Sequence, residues 1–244
     1  MNFNACSQDS QSDWDLILIR EDQVKPSMVE DYERALSELK NLLEEGTVKD
    51  FGYFSHLRDD YPFTHVVSIN QLGEIDNGML EYVAQKADRD ELNLILENLN
   101  STIANYRNYI VQYLPDLSYV PGTDNWNEGQ PYRRWNFYHF LPGSEKKVEM
   151  ILKSWKGLYK NHEIKNGFRV FKGFIGVEHP LYILTTWAED PLDYQQNLSG
   201  NMEKFNLEGS VLWAEMTKYV KEVKTIEGWY LPQYSFTSGL ILAE

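Results

Sequence analysis

Two stretches of this chain repeat each other at long range, and that repetition limits the folds open to it. "DDYPFTHVVSINQLGEID" in the first half answers "VEHPLYILTTWAEDPLD" in the second, with Pro62 and Pro180 118 residues apart and Asp76 and Asp193 117 apart. "LSYVP" (117–121) answers "GWYLP" (228–232), placing Pro121 and Pro232 111 apart. Self-similarity at such a period is the mark of a doubled structural unit, and insertions in loops account for the drift.

Each half parses in the same order. A first strand, 15–20 or 134–141, leads into a proline turn at Pro26 or Pro142. An amphipathic helix follows, carrying Val29, Tyr32, Leu36, Leu39 and Leu43 in one half and Val148, Ile151, Leu152, Trp155 and Leu158 in the other, at the three- and four-residue spacing of one buried face. "FGYFSHL" turning through "RDDYP" into "FTHVVSI", and "FRVFKGFIG" turning through "VEHP" into "LYILTTW", read as antiparallel hairpins. Second helices are predicted over about 84–113 (Leu92, Leu96, Leu99, Ile103, Tyr106, Ile110) and 200–225 (Leu212, Met216, Tyr219, Val223), each followed by a short closing strand. The order is β-α-β-β-α-β twice, that of the ferredoxin-like unit.

One such unit covers one sheet face with helices and leaves the other bare, so the second copy is expected to bury it, giving an α+β barrel with helices outside. The predicted divisions are a disordered tail at 1–13, repeats at 14–121 and 132–236, a linker at 122–131 rich in Pro, Gly, Asn and Asp, and a tail at 237–244. On these elements, and on segments such as "FLPGSEKKVEMILKSWKGLYK", the chain resembles the dimeric α/β-barrel superfamily in its single-chain form, and within it a group of uncharacterised bacterial proteins. The resemblance implies a pseudo-dimeric monomer, or a homodimer of such chains. It carries no catalytic residues.

Composition narrows partners more than function. The chain has 244 residues, 42% hydrophobic and 25% charged, enough for a packed core, and a formal net charge of -14. Phosphate neutralisation needs clustered Lys and Arg, so a nucleic-acid partner is not expected. No window approaches the roughly 18 consecutive apolar residues of a membrane span. The single cysteine, Cys6, excludes an internal disulfide and a cysteine-rich metal site. It stands in a polar tether, "NACSQDSQSD", like the start of a mature bacterial lipoprotein; the sequence as written reads as cytoplasmic, and as a periplasmic lipoprotein anchored at Cys6 if its start is truncated.

The superfamily resemblance brings two chemistries to test. In its chlorite-dismutase-like and haem-degrading members the iron is held by a helical histidine; the second helices predicted here contain none, so no cofactor is expected. Cofactor-free monooxygenases of the antibiotic-biosynthesis type need only an aromatic pocket with a few polar groups. The five histidines, His56, His65, His139, His162 and His179, form no metal-binding spacing. His56 and His179 are expected at solvated hairpin ends and His162 at a helix C-terminus, and "RDD" (58–60) is expected as a solvated turn.

Strand alternation sorts the remaining candidates. In "RWNFYHFL" one face carries Trp135, Phe137, His139 and Leu141, the apolar set expected under helices; the other carries Arg134, Asn136, Tyr138 and Phe140, the mixed set expected to line a lumen. In "FTHVVSIN" His65 falls with Phe63, Val67 and Ile69, and Thr64, Val66, Ser68 and Asn70 make the polar set. The ligand-binding candidates are therefore Arg134, Asn136, Tyr138, Ser68, Asn70 and Thr186, with His139, His65 and Trp187 beside them. The expected function is binding of a small apolar or aromatic molecule. It calls for a cavity of at least about 300 Å³ lined by Asn136 and Tyr138. A cofactor-independent monooxygenase and a protein-interaction module with an exposed sheet edge are the alternatives.

Overall fold

A computed structural model describes residues 16–46, 48–49, 51–69, 72–75, 83–122 and 129–237. Eight strands, β1 (Leu16–Val24), β2 (Tyr53–Arg58), β3 (Phe63–Ile69), β4 (Ile103–Tyr113), β5 (Tyr132–Phe140), β6 (Arg169–Ile175), β7 (Leu181–Ala188) and β8 (Val220–Tyr230), close into one antiparallel barrel in the order β1-β3-β2-β8-β5-β7-β6-β4. Four helices lie outside: α1 (Val29–Glu45), α2 (Arg89–Thr102), α3 (Glu145–Asn161) and α4 (Pro191–Met216). α1 packs with α2, and α3 with α4.

Local chemistry fixes these elements. α1 follows Pro26 and opens with Glu30 and Asp31 at its positive end, then buries Tyr32, Ala35, Leu36, Leu42 and Leu43 on one face. The Asp88 carboxylate accepts from the backbone N–H groups of Asp90 and Glu91 at the start of α2, and Asp190 accepts from that of Asp193 at the start of α4, satisfying donors a helix leaves free. α4 is interrupted at Asn206, which has φ 45° and ψ -125°.

Within each half the strands run in the order fourth, first, third, second, and two seams join the halves. The seam between β2 and β8 has three residue pairs, His56 to Tyr230, Leu57 to Trp229 and Arg58 to Gly228; that between β4 and β6 has four. Inside the halves, β1 and β4 make nine pairs and so do β5 and β8. Gly228 lets the first seam close: a Cβ there would sit 2.4 Å from the Leu57 carbonyl oxygen.

Closure gives the sheet two buried faces, and the apolar core has three principal parts. One lies under α1 and α2, with Tyr32, Leu36, Leu43, Phe63, Val67, Leu92 and Ile95. One lies under α3 and α4, with Phe140, Val148, Leu152, Phe168, Val170 and Tyr182. The third fills the lumen with Ile17, Ile19, Tyr109, Val111, Leu181 and Ile183, against which Trp135, Phe137 and Phe171 pack.

Two boundaries differ from those expected. The predicted second helices end at Thr102 and Met216, and the residues beyond form the long strands β4 and β8. Ile103, Tyr106 and Ile110 continue a helical spacing by coincidence, and residues 104–108 of β4 are all exposed, which hides the alternation a strand normally shows. The short closing strands expected after these helices are the longer β4 and β8; in 117–121, Tyr119 makes an isolated bridge to Phe168. The ring closes over short seams only: β8 meets β2 at residues 228–230 and β4 meets β6 at residues 110–113, so the exposed stretches 221–225 of β8 and 104–108 of β4 have a strand partner on one side alone.

Candidate functional site

The lumen holds a cavity of about 70 Å³. At about 10–15 Å³ per water centre it admits a handful of waters or one compact molecule. It falls short of the ~300 Å³ expected of a site for a drug-sized ligand. Alternation along the strands delivers its lining, which is largely apolar: Ile19, Val66, Val111, Trp135, Phe137, Phe171, Ile183 and Ile226 form most of the wall, and Glu21, His56, Arg58, Thr64, Arg133 and Arg169 supply its polar groups.

Its polar groups divide into two sets. At one, Arg58 donates to Asp60 through both Nε (2.7 Å) and Nη2 (2.6 Å) and to Glu21 through Nη1 (2.5 Å). Burial alone would lower the Arg58 pKa, but the Asp60 hydrogen bond and the charge of Glu21 outweigh it and raise it. Glu21 also accepts from Tyr109 (3.0 Å) and Arg107 (3.2 Å), so its oxygens are engaged. The "RDD" turn expected to be solvated thus contributes a buried, bidentate arginine, 7% exposed.

The second set surrounds His56, which is 3% exposed instead of solvated. Trp135 stands edge-on to its ring at 5.4 Å between centroids, and Tyr230 lies 5.5 Å away. Burial, and then the positive charge of Arg133, hold the imidazole pKa well below its ordinary value, so His56 is neutral at neutral pH. Arg133 donates to the carbonyls of Gln130 and Tyr132 and lies 5.5 Å over the Tyr230 ring. Burial and the nearby charge of Arg169 pull the Arg133 pKa down to about 9. Arg169 lies 4.8 Å over the Trp187 ring. His56 is directly opposite Thr64 across the β2–β3 ladder, and neither His56 Nδ1 nor Thr64 Oγ1 has a hydrogen-bond partner among the described residues. Two adjacent, buried, unsatisfied polar atoms facing a cavity are uncommon in a folded protein.

A second polar cluster lies on the outer side of the same sheet, under α1. The His65 ring bridges the Ser55 Oγ (2.9 Å, to Nδ1) and the Tyr32 hydroxyl (2.7 Å, to Nε2), and the Tyr32 oxygen is also 2.9 Å from Asp22 Oδ2. Ser55 donates its one proton to the Tyr234 carbonyl (2.6 Å), so it accepts from Nδ1–H of His65. Neutral His65 then presents Nε2 as an acceptor, and the single Tyr32 proton serves two acceptors. Burial lowers the His65 pKa to about 4 against the opposing pull of Asp22. Asp22, Tyr32, Ser55 and His65 are all buried, and the cluster packs as part of the core.

None of the eight described residues among those chosen from the sequence lines the cavity. Arg134, Asn136, Tyr138 and Thr186 point outward. Arg134 pairs with Glu227 and lies over Tyr194; Asn136 accepts from Thr225 at 2.8 Å; Tyr138 packs on Phe140 beneath α4; Thr186 is opposite Arg134. His65 belongs to the outer cluster, as its apolar strand face implied. Ser68, His139 and Trp187 share the lumen-facing side but lie beyond the cavity lining, and Asn70 is outside the described residues. The lumen side of β5 is instead the apolar set, with Trp135 and Phe137. In a closed barrel both sheet faces are buried, so polarity contrast does not tell lumen from helix side. No group of three or more His, Cys, Asp or Glu suited to a metal occurs among the described residues, and no described helix is long and apolar enough to cross a membrane.

Solved structures share this α+β fold of eight antiparallel strands in a barrel with helices outside. A candidate monooxygenase from Lactobacillus acidophilus NCFM superposes with a TM-score of 0.59 over 93% of this chain and 98% of its own, at 9% identity. An anthrone oxidase-like protein gives 0.59 over 95% and 97%, at 10% identity. Chlorite dismutase from Candidatus Nitrospira defluvii, in complex with imidazole, gives 0.53 over 89% and 91%, at 11% identity. At these identities the likeness is one of fold. No family model and no curated protein matches the sequence.

Proposed function

We propose that the protein binds a compact small molecule in the barrel lumen. The observation that carries this is the pair His56 Nδ1 and Thr64 Oγ1, buried side by side on the lumen wall without partners. Burying two such atoms costs about 1–3 kcal/mol each, a cost a bound ligand removes by hydrogen-bonding both. The rigid ring around them supplies a preformed site. The cavity's size revises the ligand expected from the sequence to a compact one, and its largely apolar wall, with Trp135, Phe137, Phe171 and Ile226, suits an apolar body that carries polar atoms to His56 and Thr64. Native mass spectrometry of the protein purified from its own cells tests the proposal. A stoichiometric bound molecule that is lost in Thr64→Leu, which fills the lumen, is the expected result; an empty protein under gentle desolvation would overturn it.

A cofactor-independent monooxygenase is the second reading. It is supported by what two fold neighbours are named for and by His56, neutral and therefore able to accept a proton from a substrate. A cavity this small favours the binding reading over turnover of a polycyclic phenol.

We read the architecture as a fused pair of ferredoxin-like repeats, 14–121 and 132–236, joined by 122–131. The matching strand order of the two halves supports that reading. A pseudo-dimer of this kind fits a monomeric state, which sedimentation can check.

A further inference from the structure

We propose that the edge of β8 at residues 221–225 pairs with the same stretch of a second copy of this chain, in an antiparallel, two-fold arrangement centred on Val223. The seam with β2 ends at Gly228, and residues 221–225 are all exposed, with β5 as their one strand partner among the described residues. Hydrogen-bonding direction alternates along an antiparallel strand. Tyr230 donates its backbone N–H to Pro131 on the β5 side, whereas Leu231 donates to Ser55, and Glu227 accepts from Asp59 at 2.9 Å, on the other. The one irregularity in the β5–β8 ladder falls between His139 and Phe140, beyond Glu222. In phase with Glu227, Val223 and Thr225 therefore turn their N–H and C=O groups away from β5 and toward solvent. Such an edge is a template for a further strand. The barrel closes within one chain without it, so the pairing joins two pseudo-dimers and completes neither.

The residues of the edge select the partner. Outward-turned backbone groups must face one another, so an antiparallel self-pairing of this stretch centres on residue 222, 223 or 224. The first and last of these set Glu222 against Glu222 or Lys224 against Lys224. Centring on Val223 sets Glu222 opposite Lys224 twice, Val223 opposite itself and Lys221 opposite Thr225. Opposite charges directly across an antiparallel pair stabilise it, and like charges destabilise it. Glu222 and Lys224 share a face of β8 with Ile226, so they meet on one side, in the non-hydrogen-bonded positions where side chains approach most closely. Val223 lies on the other face opposite Tyr138, whose ring meets Trp213 edge-on. Val223 and Trp213, 42% and 45% exposed, give the edge an apolar flank. The ion pair of Lys224 with Asp60, at 3.7 Å, is exposed and longer than a hydrogen bond, and so yields easily to a second carboxylate. The corresponding stretch of β4, 104–108, carries one charged residue, Arg107, which pairs with Glu21 and has no opposite charge to meet in a self-pairing. A five-residue strand pair is smaller than the roughly 1,200–2,000 Å² of a standard stable interface, so the dimer is a weak one, with a Kd on the order of 100 μM.

Sedimentation equilibrium of the full chain from about 10 μM to about 1 mM tests the inference, and a monomer–dimer equilibrium is expected. Glu222→Lys and Lys224→Glu each set like charges against one another, and each alone is expected to raise the dimer Kd at least tenfold. Mixed in equal amounts, the two variants restore opposite charges at both positions and are expected to pair with each other. Val223→Pro removes an N–H that faces away from β5, so it spares the ladder within the chain and is expected to abolish the dimer. Should the proline variant lose its circular dichroism spectrum, the two charge variants and their mixture decide alone. A monomer throughout the range, a dimer indifferent to charge reversal, a mixture that stays monomeric, or assembly that grows past two chains, as pairing of β8 with the β4 edge would give, overturns the inference.

Discussion

Under α1 and α2 the barrel buries an ionisable network, Asp22, Tyr32, Ser55 and His65, whereas under α3 and α4 the corresponding interface is aromatic, built on Tyr138, Phe140, Tyr159, Phe168, Tyr182 and Phe205. In the second layer polar groups reach solvent at the rim: the Tyr182 hydroxyl donates to Glu149 at 2.7 Å, and Lys172 pairs with the same carboxylate. The same backbone ring thus tolerates two packing chemistries. One stabilises by area and ring geometry, the other by satisfying protons exactly where a miscount is costly.

The largest effect expected from this difference is in the aromatic half. Phe140→Ala removes a side chain that is 1% exposed and should cost about 3–5 kcal/mol in urea-induced unfolding, with no dependence on pH. A loss below about 1 kcal/mol would mean that the second layer repacks freely. The polar half should show itself through pH. Because His65 titrates near 4 in the folded chain and near 6.5 unfolded, the unfolded state binds more protons between those values. Its contribution is complete above about pH 6.5 and is lost as pH falls toward 4, by up to about 3 kcal/mol. His56, also depressed by burial, acts in the same sense. Flat stability from pH 7 to 4 would contradict a neutral buried His65.

Tyr32→Phe isolates the network from that background. It strips the one proton shared by Asp22 and His65 and should cost about 1–3 kcal/mol, while the ring contact with Phe63 at 4.8 Å is kept. A neutral result would show that water or Arg20, 2.7 Å from Asp22, replaces the hydroxyl. The smallest effect belongs to Asn136→Ala on the outer surface of the second half. Losing its exposed bond to Thr225 should change stability by less than about 0.5 kcal/mol and leave ligand binding untouched. A loss of ligand binding in that variant would restore the outward face as a site.

Element order, the two hairpins and the inward face of β3 are legible in the sequence. Thr64 and Val66 do face the lumen, and His65 does turn to the helices. The inward faces of β5 and β7 are not legible, for a physical reason. Aligning the halves on Pro62 and Pro180 imposes an even spacing, yet lumen residues are even-numbered in β3 (64, 66) and odd-numbered in β7 (183, 185). A slip of one residue turns every side chain to the other face, and Thr185 lines the lumen where Thr186 was expected. Arg133 and His56 were missed differently. Arg133 is the second residue of β5, one before the stretch read as a strand, and His56 lies close to the hairpin end expected to be wet. An arginine placed in phase with Trp135 and Phe137 was the available signal.

The three-pair ladder between β2 and β8 carries a further consequence. Local opening of a few backbone hydrogen bonds takes much less free energy than unfolding a helix-backed layer. The ring is then like a clasp: two stiff half-shells meeting along one short latch and one only slightly longer. His56 and Arg58 are themselves part of the shorter latch, and at Gly228 it leaves no room for a side chain against Leu57. A molecule bound against His56 would help to hold the latch shut.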